Sequence, residues 1–159
     1  MKLFLGLDYG DKFFGLAKFR ESMDTFPYPW KEGLINSNFK KRLDTIIEQE
    51  SIDCLVIGIP YSLNGESNLQ SEKYLTLFKK EVFSIPIFFQ EESLSSKEAS
   101  IFQKRKDYQK FSNHSIAAMI ILRDFLISNL VFTSLIYNNF PIKHEIKLSK
   151  LAINFVLDY

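Results

Sequence analysis

Apolar residues along the chain follow two spacings, one typical of buried strands and one typical of helices. Two apolar runs, residues 3–7 and 13–19, flank a tight Asp-Tyr-Gly-Asp turn, and this arrangement predicts a β-hairpin. The unbroken apolar run over residues 54–59 has the length of a buried parallel strand, and residues 85–90 predict another short strand. Residues 21–33 contain two prolines and a glycine, so they predict a loop or a broken third strand.

Helical spacing of apolar residues predicts three helices, over residues 39–50, 69–83 and 114–127. Ser112 or Asn113 is expected to cap the last of them. Between the second and third, the pair Ser95 and Glu98 has the spacing of a capping box, which predicts the start of a further helix.

The order of these elements indicates a mixed α/β sheet covered by helices. We expect one main domain over residues 1–128 and a C-terminal extension over residues 129–159, whose composition differs from the preceding pattern. In the extension, residues 130–137 predict a strand. An apolar stripe at helical spacing follows, formed by Leu148, Leu151, Ala152 and Phe155.

Composition and charge limit the function classes. The chain has 159 residues, of which 46% are hydrophobic and 25% charged, as in a globular domain that buries its own core. Its net charge of +1 gives no bulk attraction to nucleic acid or membrane, so such a partner needs a local basic patch. The single cysteine, Cys54, allows no internal disulfide and suits the cytoplasm. Asp8 cuts the first apolar run short, and no run has the length of a bilayer span, so we expect neither a signal peptide nor a membrane partner.

Three residues with metal-binding side chains fall where predicted strands end or a predicted helix begins. Asp8 ends the first strand, Glu92 follows the strand over residues 85–90, and His114 begins the last predicted helix. Ligands of sheet-based folds gather near the carboxyl ends of strands and the amino ends of helices, so these side chains would suit a divalent cation. Each residue type also occurs at such positions without a function, and the spacing alone leaves both interpretations open.

The hairpin LGLDYGDKFFGLA, residues 5–17, places glycines on both sides of Asp8. Glycine lets the backbone turn and lets another group, such as a ligand, approach closely. This stretch resembles the signature that opens the YqgF/RuvX family of RNase H-like Holliday junction resolvases, which are also assigned to trimming of the small-subunit ribosomal RNA precursor. Three further stretches resemble the family in order and spacing: VIGIPYSLNGESNLQSEKY, QEESLSSKEA and NHSIAAMIILRDFL.

The resemblance covers about residues 2–127 and implies an RNase H-like mixed sheet, in which antiparallel hairpin strands and parallel strands are flanked by helices. It also implies that Asp8, Glu92 and His114 are the catalytic residues and hold Mg²⁺ or Mn²⁺, with Asp8 bridging two cations.

The chain departs from the family pattern at three positions near this site. His114 stands where the family has its third acid, Ser93 where it has an arginine, and Phe13 where it usually has a basic residue. The last two changes remove positive charge that would pair with phosphate. Imidazole suits Mn²⁺ better than Mg²⁺, which prefers oxygen ligands.

The resemblance implies a metal-dependent nuclease that hydrolyses phosphodiester bonds of structured nucleic acid in the cytoplasm. Its substrate would be a ribosomal RNA precursor or branched DNA such as a Holliday junction. Basic residues are expected to contact the phosphates, with Tyr108 as a stacking ring among them. These residues are Lys12, Lys104, Arg105, Lys106 and Lys110.

Other functions compete with this interpretation. A nucleic-acid-binding relative of the same fold, impaired in catalysis, would fit the changes at His114 and Ser93. The basic run alone would also suit a solvated surface loop. Sugar kinases and actin-like ATPases open with a similar Asp-x-Gly hairpin, but they need a second lobe that 159 residues do not provide.

Overall fold

The computed structural model describes residues 1–60, 69–92 and 95–137, which form a five-stranded sheet with helices on both faces. The elements in chain order are β1 (Leu3–Tyr9), β2 (Phe13–Arg20), β3 (Tyr28–Leu34), α1 (Phe39–Gln49), β4 (Cys54–Pro60), α2 (Leu69–Lys80), β5 (Ile87–Glu92), α3 (Ser95–Gln103), a 3-10 turn (Lys106–Tyr108) and α4 (Asn113–Tyr137). The strands lie in the order β3-β2-β1-β4-β5. The pairs among β1, β2 and β3 are antiparallel, whereas β4 is parallel to both β1 and β5. The predicted mixed α/β sheet is confirmed.

The proline-containing segment forms a strand at the edge of the sheet. β3 pairs with β2, and the register of that pair shifts between Leu16 and Ala17, beside Pro29. Proline has no backbone N–H to donate to a neighbouring strand, so an edge strand with an irregular register is where it is tolerated. The third strand left open by the sequence therefore exists, in a broken form.

Helix α4 is longer than the sequence predicted. The prediction of a strand over residues 130–137 is wrong, because the helix continues to Tyr137. Val131 and Thr133 are residue types that favour strands, but strand propensity depends strongly on context and no glycine or proline interrupts the segment, so a helix that has already nucleated propagates through it. The expected domain boundary at residue 128 lies inside this helix, and the division of the chain there stays a prediction.

Several expectations concern residues outside the described part of the chain. These are the turn within residues 61–68, Ser93 and the apolar stripe that begins at Leu148. Within the described residues, no helix is both long enough and apolar enough to cross a bilayer.

Each face of the sheet has its own apolar core. Side chains alternate along β1, so Leu5 and Leu7 pack with α1 and α2 on one face. The other face is covered by α4, where the ring of Phe4 lies 6.4 Å from that of Phe125. α3 lies beside α4 and is joined to it by Arg123, whose guanidinium donates two hydrogen bonds to the carboxylate of Glu98. These bonds lower the pKa of Glu98.

Glycines allow α4 to lie directly on the strands. A Cβ at Gly6 would lie 2.7 Å from the carbonyl oxygen of Ala118, and one at Gly15 would overlap the carbonyl carbon of His114. Side chains at these two positions would therefore push the helix off the sheet. The space that the sequence suggested for a ligand is filled at Gly6 and Gly15 by the backbone of α4.

Gly15→Ala is expected to lower the free energy of unfolding by about 1–3 kcal/mol or more, the usual range for overpacking, because backbone must move to admit the methyl group. Urea denaturation of the parent and the variant measures the change. Gly33→Ala is the comparison, with a smaller loss expected, since the atoms nearest to its added Cβ belong to side chains and not to backbone: Nη2 of Arg42 at 2.5 Å and the ring of Phe14 at 2.8 Å. Equal losses in the two variants would contradict the special role of Gly15.

Candidate active site

Asp8 and His114 meet at the carboxyl end of β1. Asp8 is the last residue but one of that strand, and His114 is the second residue of α4. Nδ1 of His114 lies 2.8 Å from Oδ2 of Asp8. The side chain of Asp8 is 14% exposed and that of His114 is 37% exposed. The fold thus brings together two of the three predicted site residues in a place that is partly shielded but open to solvent.

The position of His114 is set by the way α4 begins. The hydroxyl of Ser112 accepts a hydrogen bond of 3.1 Å from the backbone N–H of Ser115, and this is an N-cap. Of the two cap residues expected from the sequence, Ser112 is therefore the one used. The ring of Phe13 lies 6.0 Å from the imidazole ring, at an angle of 30° between the two planes. The cap, the contact with Gly15 and the ring of Phe13 together restrict the imidazole to the vicinity of Asp8.

The 2.8 Å separation of Nδ1 of His114 and Oδ2 of Asp8 requires either a hydrogen atom or a cation between them. If the imidazole carries its proton on Nδ1, that N–H donates a hydrogen bond to Asp8. If the proton is on Nε2, the lone pairs of Nδ1 and Oδ2 face each other and repel, unless a cation lies between them. Two neighbouring ligands of one divalent cation, with bonds of about 2.1 Å at right angles, lie roughly 3 Å apart. The separation of Asp8 and His114 therefore also fits two adjacent ligands of a metal ion.

Glu92 is the last residue of β5, a strand that runs parallel to β4, which in turn runs parallel to β1. β4 separates this strand end from that of Asp8. The side chain of Glu92 is outside the described part of the structure. Among the side chains that are described, no group of three Asp, Glu, His or Cys residues could hold a metal ion.

The predicted phosphate-contacting residues are exposed. Lys12 lies in the turn between β1 and β2, and the others surround the 3-10 turn between α3 and α4: Lys104, Arg105, Lys106 and Lys110. That segment leads directly into the start of α4, close in the chain to His114. Tyr108 is half-buried, and its ring packs edge-on against Phe102 with a centroid distance of 5.3 Å. Its role as a stacking ring stays a prediction.

A cavity that the sequence did not predict lies on the face of the sheet opposite to His114, at the same end of the sheet as Asp8. It has a volume of about 170 Å³, and its walls include Tyr9, Phe39 and Phe83. Of the basic run Lys40-Lys41-Arg42 in the first turn of α1, only Lys40 lines the cavity, and the acidic Glu81 lines it as well.

Comparisons with known proteins agree with this geometry. A protein of Lawsonia intracellularis named "Putative pre-16S rRNA nuclease" is 32% identical over 132 residues, covering 77% of this chain and 92% of that protein. A protein of the same name from Maridesulfovibrio salexigens is 33% identical over 133 residues, covering 77% and 96%. Among solved structures, "T. thermophilus RuvC in complex with Holliday junction substrate" has a TM-score of 0.51 and covers 82% of this chain and 97% of that one. At 9% identity, that likeness shows the fold alone.

A family model described as "RuvX: Holliday junction resolvase" matches residues 2–128, which include every strand of the sheet and the site at Asp8. The chain belongs to the RuvX family, a family of nucleases that hydrolyse phosphodiester bonds.

Proposed function

We propose that this chain is a nuclease that depends on Mg²⁺ or Mn²⁺, with Asp8, Glu92 and His114 as its catalytic and metal-binding residues. The observation that carries the proposal is the 2.8 Å approach of His114 Nδ1 to Asp8 Oδ2 at the carboxyl end of β1. Shielding a carboxylate at a strand end costs stability unless a partner compensates its charge. Position 92 ends a strand that runs, through β4, parallel to the strand of Asp8, and this direction supports Glu92 as a further ligand.

The chemistry explains why such a site needs these residues. Hydrolysis of a phosphodiester is slow because water must attack an anionic phosphorus centre while an alkoxide leaves. When bound, a divalent cation activates the water and stabilises the leaving oxygen. The carboxylate of Asp8 contributes negative charge, and its side chain is only 14% exposed. Water therefore weakens its attraction for a cation less than it would for a carboxylate on the open surface. His114 contributes a neutral donor atom held in place by the start of α4.

The substrate we propose is a structured nucleic acid, bound mainly through its phosphates. Relatives are named for the precursor of 16S rRNA and the family model for the Holliday junction, so both are candidates. Exposed cations at Lys12 and in the segment before α4 would contact the backbone without reading its sequence. Processing of a ribosomal RNA precursor would be a cytoplasmic activity, carried by the domain over residues 1–128.

A second candidate is a relative that binds nucleic acid but has lost catalysis. The presence of His114 at the third acidic position and of Phe13 at a usually basic position favours it. The basic segment would serve both functions, whereas metal-dependent cleavage belongs to only one.

Asp8→Asn should reduce metal-dependent cleavage by at least about 100-fold, because the variant loses the charge that would hold the cation. The measurement uses a pre-16S rRNA fragment and a four-way DNA junction, each with Mg²⁺ and with Mn²⁺. Asp11→Asn is the matched control, since Asp11 is an exposed carboxylate in the adjoining turn and should cleave like the parent. Circular dichroism should show that both variants fold. Undiminished cleavage by folded Asp8→Asn would refute the role of this residue.

The identity of the third ligand should set the metal preference. A neutral imidazole balances less cationic charge than a carboxylate does, so the parent should be more active with Mn²⁺ than with Mg²⁺. His114→Asp should raise cleavage with Mg²⁺, and His114→Ala should lower cleavage with Mn²⁺. Identical behaviour of the three proteins with both metals would show that His114 is not a ligand. If none of them cleaves either substrate, the binding relative becomes the better interpretation.

Replacing Lys104, Arg105 and Lys106 by Ala should weaken binding of many nucleic-acid sequences to a similar degree. The dependence of log Kd on log salt concentration should also flatten, by at most about one slope unit per lost phosphate contact. Fluorescence anisotropy in the Asp8→Asn background measures binding without cleavage. Lys2→Ala is a useful control, because Lys2 is exposed beside the start of β1, at the other end of the sheet. A salt slope equal to that of the control would place the segment outside the interface.

A further inference from the structure

The turn of the β1–β2 hairpin surrounds the imidazole of His114 on more than one side. The backbone N–H of Gly10 closes this turn by donating a hydrogen bond of 3.0 Å to the carbonyl oxygen of Phe13. A Cβ built at Gly10 would lie 3.1 Å from Cε1 of His114 and 3.6 Å from its Nδ1, so bare backbone lies along that edge of the imidazole. Asp8, before the turn, lies 2.8 Å from Nδ1. Three residues of the hairpin thus lie around the imidazole, and we call them the imidazole cradle: Asp8, Gly10 and Phe13.

Phe13 reaches the imidazole because of its position along β2. Phe13 and Gly15 are two residues apart in that strand, so they face the same side of the sheet. Gly15 lies against the backbone of His114, and Phe13, nearer to the turn, lies beside its ring. The two ring centroids are 6.0 Å apart, and the planes are inclined by 30°. This separation falls within the range of about 4.5–7 Å over which aromatic side chains interact favourably.

The contact with Phe13 restricts a rotation of the imidazole. The His114 side chain is 37% exposed, and the last side-chain torsion of histidine has broad, roughly two-fold preferences. Turning the ring over about that bond would replace Nδ1 by Cδ2 at Asp8, and a ring carbon cannot bind a cation. The rotation is hindered because the imidazole would have to sweep past the ring of Phe13. An orientation that is fixed in advance spares the entropy of ordering the side chain when a ligand binds.

We propose that Phe13 is a positioning residue, whose ring holds the imidazole of His114 with Nδ1 directed at Asp8 in the metal-free protein. A phenyl ring has no donor atom, so Phe13 acts through His114 and is not itself a ligand. Groups that orient a metal ligand contribute to metal affinity without touching the metal. The inference rests on the proposed nuclease function, which it deepens by adding a positioning residue to that site.

The orientation of the imidazole is measured by NMR without metal. The chain has two histidines, so labelling of histidine gives two Cε1–H signals, and His114→Ala identifies that of His114. In the parent, this proton should show a nuclear Overhauser effect to the Hα protons of Gly10, because the two groups lie side by side. Phe13→Leu should weaken the effect by at least about twofold, since an aliphatic side chain restricts the torsion less. Phe13→Tyr, which keeps the ring, should preserve it.

Binding of Mn²⁺ alone, without nucleic acid, is followed through the EPR signal of the free ion. Phe13→Leu should raise the Kd for Mn²⁺ by about three- to tenfold, the range of one aromatic contact, whereas Phe13→Tyr should bind like the parent. In the His114→Ala background, Phe13→Leu should change that Kd by less than about twofold, because the residue through which Phe13 acts is absent. A merely structural effect of Phe13 would persist in both backgrounds.

Phe19→Leu is the matched control. Phe19 lies on the same face of β2, is half-buried like Phe13, and packs against Phe4 with a centroid distance of 6.3 Å. The same substitution there removes an aromatic contact that does not involve His114, so both the nuclear Overhauser effect and the Kd for Mn²⁺ should match those of the parent. Thermal unfolding shows which variants fold. Phe13→Met, a second variant without a ring, keeps the test decisive if Phe13→Leu does not fold.

The outcomes separate this inference from the nuclease proposal. An unchanged nuclear Overhauser effect in folded Phe13→Leu would overturn the positioning role, as would an equal loss in Phe19→Leu or an equal change of the Kd with and without His114. Normal cleavage by the parent together with any of these results would leave the nuclease intact. If the parent binds no Mn²⁺ while Phe13→Leu weakens the effect, the positioning role stands and the metal-dependent nuclease is contradicted.

Discussion

The close contact between the start of α4 and the hairpin β1–β2 is the constraint on which the rest of the structure depends. It exists because Gly6 and Gly15 present no side chain where the helix backbone crosses the strands. The same contact buries Ile116 and Met119 against the sheet and carries His114 to Asp8. Stability and site geometry therefore have one origin, and the helix could not be shifted to improve one without changing the other.

The two partly buried ion pairs of the sheet show different ways of compensating charge. On the face covered by α1, Lys18 is almost fully buried, lies over the ring of Trp30 at 3.4 Å and forms a 2.5 Å ion pair with Glu50. That hydrogen bond lowers the pKa of Glu50, and the arrangement is self-contained. Asp8 instead has an imidazole as its partner, at an open end of the sheet. A partner that can give up its proton makes the carboxylate available to a cation, which a fixed ammonium would not.

The carboxyl end of β1 also separates two chemically different surfaces. One has the carboxylate and the imidazole, and the other has the aromatic cavity with the cations of α1. Alternation of side chains along a single strand places them back to back, because consecutive residues face opposite sides.

Much of the fold followed from local patterns. The apolar runs predicted β1, β2, β4 and β5, the helical spacing predicted α1 to within a residue at its end, and the capping pair Ser95 and Glu98 marked the start of α3. Ordered motifs indicated the RuvX family, which the match over residues 2–128 confirms. Such patterns work because element type and buried face depend on residues a few positions apart. The prediction of a strand over residues 130–137 failed because a helix already formed can continue through residues that favour strands when no glycine or proline interrupts them.

The sequence by itself determined which residues could do chemistry, and the tertiary structure decided which of them meet. Asp8 and His114 are 106 residues apart, and no spacing rule reports a contact at that distance along the chain. Packing also filled the spaces at Gly6 and Gly15 with α4. A periodic pattern specifies the face that a side chain occupies on its own element. Which element lies against that face depends on the shape and close packing of the whole sheet.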